Sequence, residues 1–254
     1  MAACPSTCYS RIQRCPCAEV DDLTGKKGPR IAGGRTAEVF LWKDSQILKL
    51  FLEGFPAGMA EYEARVTGAA HDAGLPVPAV EGVVEIDGRT GIVFERIDGA
   101  TIDGPELVIP WTRARYARIF AELHAAVHSR ELPEALSQRE RLKDVIRKAP
   151  GLPEDTREAV LKALEQLPDG NALCHNDFHP GNIIMSSRGP IIIDWMTATR
   201  GNPLADVART SLVLRIGTRA GVGALERRIS NLFGSRLYSV YLRKYLELRP
   251  VSRR

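Results

Sequence analysis

The chain has 254 residues, 44% hydrophobic and 26% charged, which is the balance of a globular protein with a real core. No run approaches the roughly 20 uninterrupted apolar residues that span a bilayer, and a net charge of +4 is too small to call for nucleic acid as a partner. The charge is uneven: from Val207 onward eleven lysines and arginines stand against two acids, Glu226 and Glu247, about +9, leaving about −5 for the remainder.

The opening "MAACPSTCYSRIQRCPCAEV" has no apolar run long enough for a signal peptide, so a cytoplasmic location is expected. Cys4, Cys8, Cys15 and Cys17 crowd into it without the paired C-x-x-C spacing of a zinc site, and residues 1–27 are expected to be a poorly ordered leader. From Gly28 the pattern becomes globular. "IAGGRTAEVFLW" and "QILKLF" are β-type runs separated by the turn "KDS". A helix is predicted from Ala57 to Ala73, stopped by Gly74, Pro76 and Pro78. "AVEGVVEIDGRTGIVFERI" reads as two strands joined at Asp87-Gly88. The first hundred residues therefore run strand, strand, helix, strand, strand.

Helices are predicted from Trp111 to Ser129, Ser137 to Lys148 and Glu154 to Leu167. "ALCH", "NIIMSS" and "PIIID" are short strands, and from Leu204 the chain is helical, ending in a packed helix with a solvated basic face. A strand-rich first part and a mainly helical second part predict an α+β protein of two lobes, 28–97 and 98–254.

The stretch "CHNDFHPGNII", from Cys174 to Ile184, admits two chemistries. On a strand, His175, Asp177 and His179 would point the same way, and His124 and His128 share a helix face in "ELHAAVH", so five ligands of a metallohydrolase are conceivable. Against this, "HAAVH" lacks the glutamate of H-E-x-x-H. The alternative is phosphoryl transfer, which needs a phosphate cradle, a cation on the inner phosphates, oxygen ligands for magnesium and a carboxylate near the acceptor hydroxyl. Asp177 and Asn182 have the spacing of the kinase loop H-x-D-x-x-x-x-N. Asp194 ends the second strand of the next hairpin, which returns a carboxylate beside Asn182.

Upstream, Lys49 is a charge inside an apolar strand, costly without a partner. Glu63 in the next helix is the natural one, with Glu61 on another face. In "AGGRTAEV", Gly33 and Gly34 permit a turn with exposed N–H groups, and Arg35 or Thr36 is within reach of phosphate.

Together these residues resemble the aminoglycoside phosphotransferase family of protein-kinase-like small-molecule kinases. The resemblance runs from about Ile31 to Thr210 and is strongest over "LCHNDFHPGNIIMSSRGPIIIDWMTATRGNPLADVAR". It implies a two-lobed kinase-like fold with a small antiparallel N-terminal sheet, ATP between the lobes, and Mg2+. It implies that Asp177 orients or deprotonates the acceptor hydroxyl, that Asn182 and Asp194 hold magnesium, and that Lys49 with Glu63 positions the nucleotide. "FERI", with Glu95 and Ile97, resembles the hinge that meets adenine. His175 resembles the histidine supporting the loop, Asp206 the carboxylate anchoring it, and His124 a structural helix position.

Asn176 departs from the family's glycine, a change a left-handed turn accepts. No A-P-E segment follows Asp194, which argues against a protein kinase. The basic C-terminal stretch is the wrong field for a polycation, so the expected partner is a small-molecule hydroxyl acceptor other than a polycationic aminoglycoside. A nucleotide-binding module without catalysis is the competing reading, although every catalytic position is filled.

Overall fold

Five short strands form one antiparallel sheet: β1 (Arg30–Gly33), β2 (Ala37–Leu41), β3 (Gln46–Phe51), β4 (Val80–Ile86) and β5 (Arg89–Glu95), in spatial order β1-β2-β3-β5-β4. The structure is a computed structural model and describes residues 27–103, 109–216 and 224–250. The cysteine-bearing stretch through residue 26 lies outside the described residues. Alternation along β3 sends Leu48 and Leu50 to one face, with Phe40, Trp42 and Val93. It sends Ile47, Lys49 and Phe51 to the other.

The run "IAGGRTAEVFLW" is two strands rather than the one expected. Gly34 donates its N–H to the carbonyl of Ala37 at 2.9 Å, closing a turn that folds β1 back on β2. The Asp87-Gly88 hairpin behaves as its sequence predicts, with both residues at positive φ, 51° and 71°, as a tight primed turn requires.

Helix α1 (Ala57–Asp72) covers the Lys49 face of the sheet. Its Ala60 and Ala64 pack on Phe51, Ile92 and Phe94, while Tyr62, Val66 and Ala70 enter a larger core. The two sets repeat every four residues on different sides of the helix, so α1 is shared between the sheet and the mainly helical remainder of the chain.

That remainder consists of β6 (Gly99–Thr101), α2 (Pro110–His128), α3 (Gln138–Lys148), α4 (Glu154–Gln166), β7 (Ala172–Cys174), β8 (Ile183–Ser186), β9 (Gly189–Ile192), β10 (Thr199–Gly201), α5 (Pro203–Ile216) and α6 (Ala224–Leu248). The helices expected from sequence appear within a residue or two of their predicted ends. The strands form two small sheets, β6-β8-β9 and β10-β7. Phe120, Phe178, Ile183, Trp195, Leu237, Tyr241 and Tyr245 fill the core between α2, α6 and the strands. The chain crosses from the large sheet at residues 96–98, and β6 then pairs with β8. A Cβ on Gly99 would lie 2.3 Å from the carbonyl oxygen of Met185, so this close approach needs glycine. The architecture is α+β. Among the described residues no helix is long and apolar enough to cross a membrane.

Candidate active site

Residues 175–182 join β7 to β8, and their backbone is held from several sides. The buried carboxylate of Asp206, in the first turn of α5, accepts the N–H groups of His175 at 2.6 Å and Asn176 at 3.0 Å. His175 Nδ1 accepts the N–H of Asp177 at 3.3 Å, and its Nε2 pairs with the carbonyl of Ile193 at 3.1 Å. Burial lowers the pKa of His175 against the opposing pull of Asp206 and Asp194, so the ring is neutral and one tautomer serves both bonds. It ties the loop to the residue just before Asp194.

Asn176 has φ of 60°, the left-handed angle that asparagine tolerates. Its side chain does more than tolerate the turn. Nδ2 donates to Thr199 Oγ1 at 2.7 Å and to the carbonyl of Thr197 at 3.1 Å, while Oδ1 accepts from Gln138 Nε2 at 2.8 Å. These bonds join the loop to β10 and to the start of α3. Sequence reasoning missed this role; the departure from glycine was the available signal.

Asn182 Nδ2 donates to the carbonyl of Asp177 at 3.0 Å, which fixes the two residues across the turn. The Asp177 carboxylate is half-buried, with His179 Nε2 at 3.6 Å and Arg209 Nη2 at 3.4 Å. Burial would raise its pKa, but the hydrogen bond and charge of His179, with Arg209 and His175, outweigh it and hold the carboxyl below its usual range.

The second half of the site is an ion-pair relay. Lys49 Nζ lies 2.7 and 2.8 Å from the two oxygens of Glu63 and 2.8 Å from Oδ1 of Asp194. Glu63 is 1% exposed, Asp194 39%. Burial favours the neutral amine, yet the two carboxylates outweigh it and raise the Lys49 pKa, keeping the ammonium charged. Burial also pushes the Glu63 carboxyl up, opposed by Lys49. Asp194 has φ of 66° and ψ of 65°, a left-handed conformation that costs a non-glycine residue about 1 kcal/mol or more. Among the described residues, no donor is paired with Oδ2 of Asp194 or Oδ1 of Asn182. They are hard oxygen donors of the kind magnesium takes.

Other expectations are placed less favourably. The N–H of Gly34 is committed to Ala37, so it is not the exposed cradle amide foreseen from sequence. Gly33 lies on exposed β1, where a Cβ would meet the Arg30 guanidinium. Thr36 is half-buried, and its carbonyl accepts from Leu52 N–H at 2.9 Å. The Glu95 carboxylate pairs with Arg188 at 2.6 Å, and its N–H donates to Ala79 at 3.0 Å. The N–H of Ile97, half-buried at the crossing, has no backbone partner among the described residues.

The five-ligand metal reading does not assemble. His175, Asp177 and His179 lie on a loop turned at Asn176, not on a strand that aligns them. Among the described residues the one convergent His/Cys/Asp/Glu group is His124, His128 and Asp206, all buried. There Tyr241 and Tyr245 hydroxyls meet the Nδ1 atoms of His124 and His128 at 2.8 and 2.7 Å. If the hydroxyls donate, each Nε2 carries the proton and faces the carboxylate. His128 Nε2 bonds to Asp206 Oδ2 at 3.2 Å; His124 Nε2 is equally near but off the line of a hydrogen bond. The cluster braces the carboxylate that anchors the loop. Arg209 and Arg141 were also not singled out from sequence: single arginines on helices carry no pattern.

The sequence profile of the phosphotransferase enzyme family matches residues 27–245. No curated protein matches the chain by sequence. Among solved structures, an aminoglycoside-3'-phosphotransferase of type VIII is similar over 89% of this chain and 86% of its own, with a TM-score of 0.62 at 20% identity. The aminoglycoside phosphotransferase APH(2")-IIa, in a ternary complex with streptomycin and ATP, covers 89% and 80% with a TM-score of 0.56 at 18% identity. A choline/ethanolamine kinase family protein from Mesorhizobium loti covers 88% and 69%, with a TM-score of 0.53 at 19% identity. The fold is thus the two-lobed, protein-kinase-like one.

Proposed function

We propose, from the premise that the chain belongs to the phosphotransferase enzyme family, that it transfers the γ-phosphoryl group of ATP to a hydroxyl of a small molecule. The observation that carries this reading is Lys49 bridging Glu63 and Asp194 beside a loop that presents Asp177 and Asn182. The same reading puts the nucleotide between lobes at 28–97 and 98–254, with Ile97 meeting adenine at the crossing.

In this mechanism Lys49, held by Glu63, steadies the inner phosphates, and Asp194 and Asn182 offer Oδ2 and Oδ1 to magnesium. The ion, when bound, neutralises charge developing between the β- and γ-phosphates. Asp177 accepts a hydrogen bond from the acceptor hydroxyl and aims its oxygen at the γ-phosphorus. Because its pKa is held low, it is a weak base, so it orients first and takes the proton late, as a loose transition state permits. Asn182 and His175 keep the carboxylate in place through the backbone. Asp177 faces Arg209 and His179 instead of further carboxylates, which argues against a polycationic aminoglycoside as acceptor.

The test is a coupled ADP-release assay with Mg-ATP against sugars, amino alcohols, nucleosides, macrolides and aminoglycosides. Turnover with one class should fall about 10²- to 10⁴-fold in Asp177→Asn while Mg-ATP still binds. Turnover indifferent to Asp177 would remove the proposed mechanism, and Mg-ATP binding without turnover would favour a binding module. An aminoglycoside hit would refute the charge argument.

A further inference from the structure

Among the described residues, two guanidinium groups stand close to the candidate catalytic loop, one with no carboxylate partner and the other with Asp177 alone. Arg209 lies on α5 three residues after Asp206, hence on the same helix face. Asp206 anchors the loop amides, while Arg209 donates through Nε to the carbonyl of Asn176 and approaches Asp177 Oδ1 at 3.4 Å. Arg141 lies on α3, whose start is pinned by Gln138: Nε2 donates to Asn176, and Oε1 accepts from Asn202 N–H at 3.0 Å. From there Arg141 Nη1 reaches the carbonyl of Met196 at 3.4 Å, two residues past Asp194.

Several guanidiniums of this molecule meet a carboxylate that no reaction would call on. Arg89 has Glu38 at 2.9 Å, Arg139 has Asp169 at 2.9 Å and Arg188 has Glu95 at 2.6 Å. Half-buried Arg141 has no carboxylate within 4.0 Å among the described residues, only one long bond to a carbonyl. The carboxylate nearest Arg209 is Asp177, which the reaction needs. Burial lowers the pKa of Arg141, opposed by Tyr62, and the charge of Arg209 adds a smaller push in the same direction as burial. In the basic C-terminal stretch, Arg215 lies over Tyr238, Lys244 pairs with Glu247, and Arg209 touches the loop. A cation half-removed from water without a partner is costly, and guanidinium forks take carboxylate or phosphate bidentately.

We infer that Arg141 and Arg209 form a two-guanidinium clamp on the acceptor side of Asp177, and that the acceptor is a hydroxylated small molecule carrying a carboxylate or phosphate group. This rests on the kinase reading above. When the anion enters, Arg209 turns from Asp177 to it, and Asp177 is left to the hydroxyl. The hydroxyl oxygen bonds to the γ-phosphorus, the bond from that phosphorus to the bridging oxygen breaks, ADP leaves, and the proton passes through Asp177 to solvent.

The experiment measures kcat and KM with matched acceptors: glycerate, glycerol 3-phosphate and ribose 5-phosphate against neutral glycerol and ribose and cationic choline. The expected result is an anionic acceptor used at least about 10-fold better in kcat/KM than its neutral parent, the carboxylate and phosphate members showing which anion fits. In Arg141→Met and Arg209→Met the acceptor KM should rise by roughly 10- to 100-fold, with partial recovery in the Lys variants, and thermal midpoints report folding. A neutral or cationic acceptor preferred by the parent protein, or an anion preference surviving both Met variants, overturns the clamp and leaves the kinase standing. If no member turns over, glycerate and inorganic phosphate are titrated into the Mg-nucleotide complex. Binding lost in both Met variants supports the clamp, and absence of binding overturns it. Failure to bind Mg-nucleotide at all overturns the kinase reading itself.

Discussion

Lys49 sits between Leu48 and Leu50, both fully buried, yet its own side chain points to the opposite face of β3, where α1 delivers Glu63. Only the pair explains either residue, since each alone would be a buried charge. Lys49→Met should destabilise the fold by about 3 kcal/mol, because the Glu63 carboxylate is left uncompensated in the interior. Adding Glu63→Gln should restore most of that stability and none of the phosphotransfer. Urea unfolding of the single and double variants alongside the ADP-release assay checks this, and a double variant no more stable than Lys49→Met would show that the pair is not coupled. Asn176 and Asp194 make the complementary point about backbone. Both occupy left-handed angles, one in the loop that carries Asp177 and one in the ion-pair relay, and strain of that kind collects where a side chain must be aimed.

The helices α3 and α4 form a hairpin whose ends are closed by two arginines rather than by glycine caps. Arg157, near the start of α4, donates to the carbonyls of Ile146 at 2.6 Å, Arg147 at 2.7 Å and Leu152 at 3.0 Å. These include the last carbonyls of α3, which have no partner within the helix. Arg139, near the start of α3, closes the other end through the carbonyls of Leu164 at 2.5 Å and Leu167 at 2.6 Å. Arg157→Ala should therefore cost about 1–3 kcal/mol and lower Tm by roughly 3–9 °C in a chain of this size. Amide exchange should speed up chiefly in α3. Because α3 carries Arg141, the acceptor KM should rise more than the KM for ATP. Unchanged α3 exchange would show that the hairpin holds without this cap.

Across the whole molecule, α2, α5, α6 and the catalytic loop meet at one buried cluster, Asp206 with His124, His128, Tyr241 and Tyr245. Burial first, then the charge of His128, pushes the pKa of His124 down to about 4 from an ordinary 6.5. Between those values the unfolded chain binds the proton more readily, so stability is complete above about pH 6.5 and is lost as pH falls toward about 4. Burial would raise the Asp206 carboxyl, but the two imidazoles hold it well below its usual range, so its stabilising contribution fails only at still lower pH. Unfolding free energy should decline through this window, and His124→Gln should flatten the decline. An equal slope in that variant would assign the acid sensitivity to other groups.

How much of this was legible depended on the range of the interactions. Helix limits, the Asp87-Gly88 hairpin and the grouping of Asp177, Asn182 and Asp194 follow from periodicity, turn chemistry and spacing within about twenty residues. The Lys49–Glu63 pair was also readable, because a charge in an apolar strand demands a partner and one helix followed. The sequence by itself determined the α+β class and the limits of the helices, and it singled out the candidate phosphoryl-transfer residues. The tertiary structure alone decided that β1 and β2 are separate strands, that Gly34 spends its amide on the turn, and that His124 and His128 brace Asp206 instead of joining His175 and His179. It also brought Arg209 to Asp177 and Arg141 to the carbonyl of Met196, from helices some seventy residues apart. The physical reason is that hydrogen bonds and ion pairs are short-ranged and directional. Which distant groups meet is settled only when packed helices fix their positions, and no local pattern in the chain records it.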